Sequence, residues 1–273
     1  MGFKCGIVGL PNVGKSTLFN ALTASKNAEA ANFPFCTIDP NIGIVDVVDE
    51  RLDQLTKLSN SKKKIYTNIT FVDIAGLVKG ASKGEGLGNK FLSHIREVDA
   101  IIHLVRCFES DKITHVNSKI NPLDDLETIK TEIILSDLDI VKKKLEKGKK
   151  KLLEEKEVKI LEDKLSQLND GKEVVPNNKE EEKFLTTLGL LSIKPKIIVC
   201  NVDEESLAKG NSYTESVKKN YSEEKVVTIC ADIEDQIMGL DKNERETFMK
   251  EIGLNKTGLN QLIKEGYELL NLD

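Results

Sequence analysis

Eight residues near the start of the chain have the types and the spacing of a phosphate-binding loop. The run from Gly9 to Ser16 reads G-L-P-N-V-G-K-S and fits the pattern G-x-x-x-x-G-K-[ST]. Glycines at positions 9 and 14 would let the backbone wrap tightly, so that its N–H groups point at phosphate oxygens. Lys15 would reach the β- and γ-phosphates, and the Ser16 hydroxyl would ligate Mg²⁺. The pattern predicts a site for a nucleoside triphosphate.

A carboxylate and a glycine further along the chain have the spacing of a second motif. Asp73 ends an apolar run and precedes Gly76 by three positions, which matches D-x-x-G. The Asp73 carboxylate would reach the Mg²⁺ shell, and the Gly76 amide would sense the γ-phosphate. D-x-x-G is common by itself, but downstream of a phosphate loop it is a strong signal. We interpret the glycine-rich residues 79–88 that follow as a switch loop rather than a linker.

Residues 201–204 stand where GTPases carry the base-reading pattern N-K-x-D. They read N-V-D-E, so Val202 replaces the lysine and Glu204 replaces the aspartate. The aspartate of the GTPase pattern accepts from two guanine donors that adenine lacks as a pair. Because an unpaired buried acceptor costs about 1–3 kcal/mol, a site that no longer demands this pair can accept ATP. The sequence favours ATP, with GTP or dual specificity as the alternative.

Strand-like runs alternate with helical segments over most of the chain. The predicted strands are residues 3–8, 42–47, 66–73, 100–106, 196–201 and 225–230. The phosphate loop separates the first strand from a helix that opens at Ser16, and each motif lies at the carboxyl end of a strand, where parallel sheets bind ligands. The predicted fold class is α/β, a P-loop NTPase of the GTPase-like type with a mostly parallel sheet flanked by helices.

The strand pattern is interrupted between residues 121 and 191. Leu138, Leu145 and Leu152 recur every seven residues among dense charges, which predicts an inserted helical hairpin that forms a short antiparallel coiled coil. The nucleotide-binding domain would then comprise residues 1–120 and 192–273. For the lysines between 142 and 151 we favour a solvated helix face over a contact with RNA phosphates.

The composition indicates a soluble intracellular protein. Hydrophobic residues make up 39% of the 273 residues and charged residues 31%, and the net charge of −5 argues against a globally basic nucleic-acid binder. Five scattered cysteines without a C-x-x-C pair indicate reduced thiols. The sequence shows neither a signal peptide nor an apolar stretch long enough to cross a bilayer. We expect a cytoplasmic monomer without a membrane or DNA partner.

Four parts of the chain resemble the Obg-like ATPases of the YchF type. They are residues 6–23, residues 32–38, residues 71–82, and Asn201 with Glu204. The resemblance spans essentially the whole chain and implies an ATP-preferring member of a GTPase-like superfamily, with links to the ribosome, translation and stress responses. Members of this family continue into a small β-rich TGS domain. We expect that domain to be absent, because the chain stops about where it would begin.

The motifs and the resemblance together assign the site residues. We assign the triphosphate to the backbone of residues 12–17 and to Lys15. The expected ligands of Mg²⁺ are Ser16, Asp73 and Thr37, the last because it is a hydroxyl in the loop after the first helix and because the family uses the matching threonine. K⁺ is a second expected cofactor, since Asn12 stands where some potassium-stimulated relatives carry an ion ligand. The expected nucleotide-binding residues are Asn12, Val13, Gly14, Lys15, Ser16, Thr17, Gly76, Asn201, Val202 and Glu204.

The residue that positions the attacking water is not evident from the motifs. Ras-type proteins use a glutamine directly after D-x-x-G, where this chain has Leu77. Of the three histidines, His103 lies within an apolar strand and reads as a core residue. The family resemblance points to His115, which with Lys15 completes the expected catalytic pair. His94 is the alternative, and a plain surface role for His115 remains open.

The missing glutamine also supports a function of another class. Without it, intrinsic hydrolysis would be slow. The protein would then act chiefly as a nucleotide-gated ribosome- or protein-binding module in which hydrolysis serves only as a timer.

Overall fold

The computed structural model describes residues 2–27, 41–75, 87–110, 120–148, 153–254 and 256–270. The strands are β1 (Phe3–Val8), β2 (Asn41–Asp46), β3 (Asn68–Asp73), β4 (Ala100–Arg106), β5 (Lys196–Asn201) and β6 (Lys225–Ile229). The helices are α1 (Lys15–Asn27), α2 (Glu50–Leu58), α3 (Leu87–Arg96), α4 (Pro122–Gly148), α5 (Glu155–Asn169), α6 (Lys179–Thr187), α7 (Glu204–Leu207), α8 (Ser212–Asn220), α9 (Ala231–Gly239), α10 (Lys242–Glu251) and α11 (Gly258–Leu269).

The six strands form one sheet in the order β2-β3-β1-β4-β5-β6. All neighbouring pairs are parallel except β2 and β3, which are antiparallel. The register places Ile7 beside Asp73 and Arg106 beside Asn201, so β1, β3, β4 and β5 end at the same edge. The predicted α/β fold with a mostly parallel sheet is confirmed, and the sequence motifs converge on this edge.

Buried apolar side chains form three clusters. The largest joins the sheet to α1, α3 and α11 through residues such as Leu18, Phe91 and Leu262. A second cluster lies around the ends of β4 and β5 and contacts α8 and α9. The third lies among α4, α5 and α6. At the carboxyl edge of the sheet, members of these two clusters such as Val13 and Val202 lie beside polar residues such as Lys15 and Asp73.

Several element boundaries differ from those predicted. The strand expected from Tyr66 begins at Asn68, because β2 ends at Asp46, which is paired with Asn68. The Tyr66 hydroxyl donates to Asp53 Oδ1 of α2 at 2.8 Å. The sequence predicts a helix from Glu180 to Leu191, but α6 ends at Thr187, because Gly189 adopts a φ of 71° that stops the helix.

Two predictions for the carboxyl-terminal part also need correction. The sequence predicts helices from Glu234 and from Gly258; α11 begins at Gly258, but α9 already begins at Ala231, shortly after β6. Helix α10 was not predicted at all, and its mixed charged sequence lacks a strong apolar stripe.

Among the described residues, no helix combines the length and the apolar character that crossing a membrane requires.

The α4–α6 segment is joined to the sheet domain by a buried carboxylate. Asp137 of α4 is fully buried and accepts hydrogen bonds from the backbone N–H groups of Leu191 and Ser192, each at 2.8 Å, and from the Ser192 hydroxyl at 2.5 Å. Burial raises the pKa of Asp137, although these hydrogen bonds and the charge of Arg96 oppose the rise. These contacts hold the chain in place as it returns toward β5.

A buried ion pair connects α5 to α6. The Lys164 ammonium lies 2.6 Å from Glu181 Oε1, and the two side chains are 0% and 5% exposed. The same ammonium donates to the Val175 carbonyl oxygen at 2.9 Å. The two helices also share an exposed pair, Lys156 with Glu180 at 2.7 Å, whose side chains are 63% and 77% exposed.

These two pairs predict very different costs for the same substitution. Lys164→Met should lower the free energy of unfolding by about 3 kcal/mol, because it leaves the Glu181 carboxylate buried without its cation. The matched control Lys156→Met should cost about 1 kcal/mol or less, because its pair is exposed to solvent. Chemical denaturation followed by circular dichroism measures both. Equal costs for the two variants would contradict the assignment of Lys164 as a buried anchor.

Candidate functional site

The phosphate-loop sequence forms a tight turn between β1 and α1. Gly14 has a φ of 92° and Asn12 a φ of 64°, both in the left-handed region that glycine and asparagine tolerate best. A Cβ atom on Gly14 would lie 2.2 Å from Nδ2 of Asn201. The second glycine of the motif is therefore required both by its backbone conformation and by the close approach of Asn201.

Lys15 and Asp73 meet at the carboxyl edge of the sheet. The Lys15 ammonium is in direct contact with Asp73 Oδ1, and the two side chains are 12% and 9% exposed. Lys15 is the first residue of α1 and Asp73 the last residue of β3. The structure thus brings together the cation and the carboxylate of the first two motifs, 58 positions apart in the chain.

Asn201 connects the phosphate loop to the start of α9. Its Nδ2 donates to the Val13 carbonyl oxygen at 2.9 Å, and its Oδ1 accepts from the Ala231 N–H at 3.0 Å. The residue is 4% exposed, so both amide atoms work in a buried position. This side chain braces three segments of the chain around the site.

The two carboxylates after Asn201 have different roles. Asp203 Oδ1 accepts the Ser206 N–H at 2.9 Å and so caps α7. Glu204 is the first residue of that helix, and its exposed side chain borders the cleft described below. Both residues line the cleft. Because Asp203 Oδ1 is engaged in the cap, Glu204 is the candidate base-reading carboxylate.

A cleft of about 830 Å³ opens above the phosphate loop. Of the expected nucleotide-binding residues, Val13 is buried and contributes its carbonyl oxygen to Asn201. Those that line the cleft are Asn12, Gly14, Lys15, Ser16, Thr17, Asn201, Val202 and Glu204. A volume of this size is typical of pockets for nucleotide-sized ligands.

Two walls of the cleft were not identified from the sequence. Phe108, Glu109 and Ser110 follow β4 and form one wall, while Asp232, Ile233 and Gln236 of α9 line another. Both sets follow the carboxyl end of a parallel strand. That position is the signal by which they could have been found.

Four expected features fall on residues outside the described part of the chain. They are Thr37, Gly76, His115 and most of the glycine-rich stretch. His94 is described and is half-buried near the end of α3.

His103 lies away from the cleft. It is 7% exposed and borders a cavity of about 30 Å³ beside Leu126 and Lys196. Burial, with a smaller effect of the Lys196 charge, lowers the pKa of His103 to about 3. The side chain is therefore a neutral core histidine, as the apolar strand around it predicts.

Comparisons with known proteins agree with this geometry. The family described as 50S ribosome-binding GTPase matches residues 4–202. The ribosome-binding ATPase YchF of Bacillus subtilis is 48% identical, and that of Escherichia coli O157:H7 is 50% identical; each match covers 100% of this chain and 77% of the relative. A solved structure of the Schizosaccharomyces pombe YchF GTPase is 35% identical with a TM-score of 0.82, and the match covers 99% of this chain and 76% of that one. With its phosphate loop, its Asp73 and its Asn201–Glu204 segment arranged around one cleft, this chain belongs to the YchF family of P-loop nucleoside triphosphatases, the Obg-like ATPases.

Proposed function

We propose that this protein binds ATP with Mg²⁺ and slowly hydrolyses it to ADP and phosphate as a molecular switch linked to the ribosome. The observation that carries the proposal is the cleft, which has the phosphate loop on one side and the Val202–Glu204 segment on another. The names of the bacterial relatives, ribosome-binding ATPases, support both the substrate and the partner.

The phosphate end of the cleft is suited to a polyanion. The loop carries backbone N–H groups into the amino-terminal end of α1, where the helix dipole favours negative charge. Lys15 has Asp73 as its counter-charge in this structure. A bound triphosphate would offer the ammonium a second anionic partner, so Lys15 would stabilise charge on the transferring phosphoryl group.

The side chains beside Lys15 fit Mg²⁺. Asp73 supplies a carboxylate that is almost buried, and Ser16 supplies a hydroxyl that lines the cleft. Hard oxygen donors of this kind are those that Mg²⁺ prefers. Thr37 is the proposed third protein ligand. When bound, the ion would neutralise charge on the β- and γ-phosphates.

The base end of the cleft supports ATP. Val202 offers an apolar side chain where a GTPase lysine would pack on the base, and Glu204 carries its carboxylate one methylene further from the backbone than an aspartate would. Both changes weaken recognition of guanine, whose two adjacent donors are bound by the aspartate of the GTPase pattern. GTP remains the second candidate, because Asp232 adds another carboxylate to this cleft and the fission-yeast relative is named a GTPase.

Calorimetric titration with Mg-ATP and Mg-GTP tests the base preference. The parent protein should bind ATP about tenfold or more tightly than GTP, a difference of about 1.4 kcal/mol. The double variant Val202→Lys/Glu204→Asp restores the GTPase pattern and should shift the ratio of the two dissociation constants toward GTP. Glu205→Asp, in the same short helix but outside the cleft lining, should leave the ratio unchanged. Tighter GTP binding by the parent would replace the ATPase proposal with a GTPase one.

His115 is the proposed water-positioning residue. His115→Ala should lower kcat about tenfold or more while leaving the dissociation constant for ATP unchanged, because a residue that acts on the attacking water does not contribute to ground-state nucleotide binding. His94→Ala is the comparison variant, since His94 is the alternative candidate. Turnover by His115→Ala equal to that of the parent would reject the assignment, and a loss confined to His94→Ala would move the role to that residue.

K⁺ is the proposed second cofactor, with Asn12 as the residue that bears on it. Asn12 lines the cleft within the phosphate loop. If a monovalent ion adds positive charge next to the phosphates, turnover should be several-fold faster in KCl than in NaCl at the same ionic strength. Equal turnover in the two salts would remove K⁺ from the proposal.

The remaining assignments concern organisation and partners. We propose residues 121–191 as an inserted helical domain between the two parts of the nucleotide-binding domain, supported by the separate apolar cluster of α4–α6. A cytoplasmic monomer without DNA or membrane partners completes the proposal. If turnover stays equally slow with and without ribosomes, the nucleotide-gated binding module becomes the better description.

A further inference from the structure

One wall of the cleft is held in place by side chains that do not line it. The wall is the segment Cys107–Ser110, which follows β4 and contributes Phe108, Glu109 and Ser110 to the lining. Its Cys107 N–H donates to the Asn201 carbonyl oxygen at 2.7 Å, so the wall continues the sheet for one hydrogen bond beyond β4. Beyond that bond, side-chain contacts hold this non-regular segment.

Arg106, the last residue of β4, contacts this wall directly. Its side chain is 1% exposed, and its Nε donates to the Phe108 carbonyl oxygen at 3.0 Å. The guanidinium carbon also lies 4.7 Å from the centre of the Phe108 ring, which is the geometry of a cation–π contact. Because Arg106 belongs to β4, these two contacts hold the Phe108 backbone and ring in a fixed position relative to that strand.

Asn211 supports the same wall from α8 and reaches a second segment of the site. Its Nδ2 donates to the Cys107 carbonyl oxygen at 2.7 Å and contacts the Ser206 Oγ at 3.2 Å. Ser206 belongs to α7, the helix that begins with Glu204. A single amide group therefore links the Phe108–Ser110 wall to the helix that carries the base-reading carboxylate.

Helix α7 depends on such a link. It is four residues long, and none of its residues is buried. Its apolar contact is that of the partly buried Leu207 with the cluster at the ends of β4 and β5, so packing adds little to hold so short a helix. Asp203 caps its amino terminus from within the segment, whereas the contact with Asn211 ties it to the Cys107–Ser110 wall of the cleft.

Tyr213 adds a second contact between α8 and the wall. Its hydroxyl donates to Glu109 Oε1 at 2.7 Å. Asn211 and Tyr213 thus act on Cys107 and Glu109, on either side of Phe108. The start of α8 holds the wall at two points without itself lining the cleft.

We propose that Asn211 is a positioning residue for the nucleoside part of the ligand. It sets the separation between the Phe108–Ser110 wall and the Glu204 helix, and with it the fit of the base. The inference rests on one part of the proposed function, namely that the cleft binds a nucleoside triphosphate. Asn211 itself does not contact the ligand and does not act at the phosphate loop.

The substitution Asn211→Ser separates the two roles of this side chain. Asn211 Oδ1 caps α8 by accepting the Thr214 N–H at 3.0 Å, and serine is an equally good capping residue. Serine is too short to donate to the Cys107 carbonyl oxygen as well. The matched control is Asn178→Ser, which makes the same exchange at the cap of α6 in the helical segment. Thermal unfolding of both variants should match that of the parent within a few degrees.

Calorimetric titrations with Mg-ATP, Mg-GTP and magnesium tripolyphosphate then test the proposal. Asn211→Ser should raise the dissociation constant for the preferred nucleotide about fivefold to tenfold, as expected for losing hydrogen bonds that order the base end. Its affinity for tripolyphosphate, which has no base, should stay within a factor of two of the parent value. Asn178→Ser should leave all three affinities unchanged.

Other outcomes would overturn the proposal in distinguishable ways. Unchanged nucleotide affinity in Asn211→Ser, or an equal loss for tripolyphosphate, would show that Asn211 does not act on the base end. A parent that prefers GTP would instead revise the proposed function, and the comparison of nucleotide with tripolyphosphate would still decide the role of Asn211.

A second pair of variants keeps the test open if Asn211→Ser does not fold. Tyr213→Phe removes only the hydroxyl that contacts Glu109, and Tyr221→Phe is the control at the other end of α8. Tyr213→Phe should weaken nucleotide binding about twofold to fivefold while sparing tripolyphosphate. No difference between these two variants would count against a positioning role for the start of α8.

Discussion

The site depends on the amide of Asn201, which holds three segments of the chain at one point. It donates to the phosphate loop at Val13 and accepts from the first residue of α9, while its own backbone ends the strand that leads to Glu204. A buried amide of this kind costs free energy unless both of its polar atoms are paired, and here both are. Gly14 is part of the same constraint, because a side chain at that position would collide with the amide. A shift of Asn201 would therefore move both the phosphate loop and the segment that carries Glu204.

Buried charge is used in two different ways in this molecule. Away from the cleft, buried ionic groups have hydrogen-bond partners that define packing: Glu234 accepts the Gly258 and Leu259 N–H groups at 2.5 and 3.4 Å and so holds the start of α11. Burial raises the pKa of Glu234, although these two bonds oppose the rise. At the cleft, Lys15 and Asp73 are nearly buried and have each other as counter-charges next to the loop meant for phosphate. When a ligand binds, Lys15 can pair with a ligand anion and Asp73 with a ligand cation. An ion pair that lies away from a ligand site is not offered such partners.

The walls of the cleft are built by a second set of contacts behind the lining residues. Phe108 and Glu109 face the cleft, but their positions depend on Arg106, Asn211 and Tyr213. These supports lie on β4 and α8, elements that are themselves packed against the apolar cluster at the ends of β4 and β5. Rigid elements thus position a non-regular segment, which is the usual way in which a fold places ligand-binding residues on its loops.

The sequence by itself determined the features that are local in the chain. The Gly9–Ser16 loop, Asp73 and residues 201–204 are short contiguous patterns whose residue types follow from phosphate, metal and base chemistry, and alternating strands and helices predicted the mostly parallel sheet that the structure has. Tertiary structure alone decided that Asn201 braces the phosphate loop. It also decided that residues of α9 and the segment after β4 complete the walls. The physical reason is distance along the chain: Asn211 and Cys107 lie 104 positions apart, and Asn201 and Val13 lie 188 apart. Local periodicity carries no information about contacts of that separation, because they form only when the packed sheet brings the strand ends together.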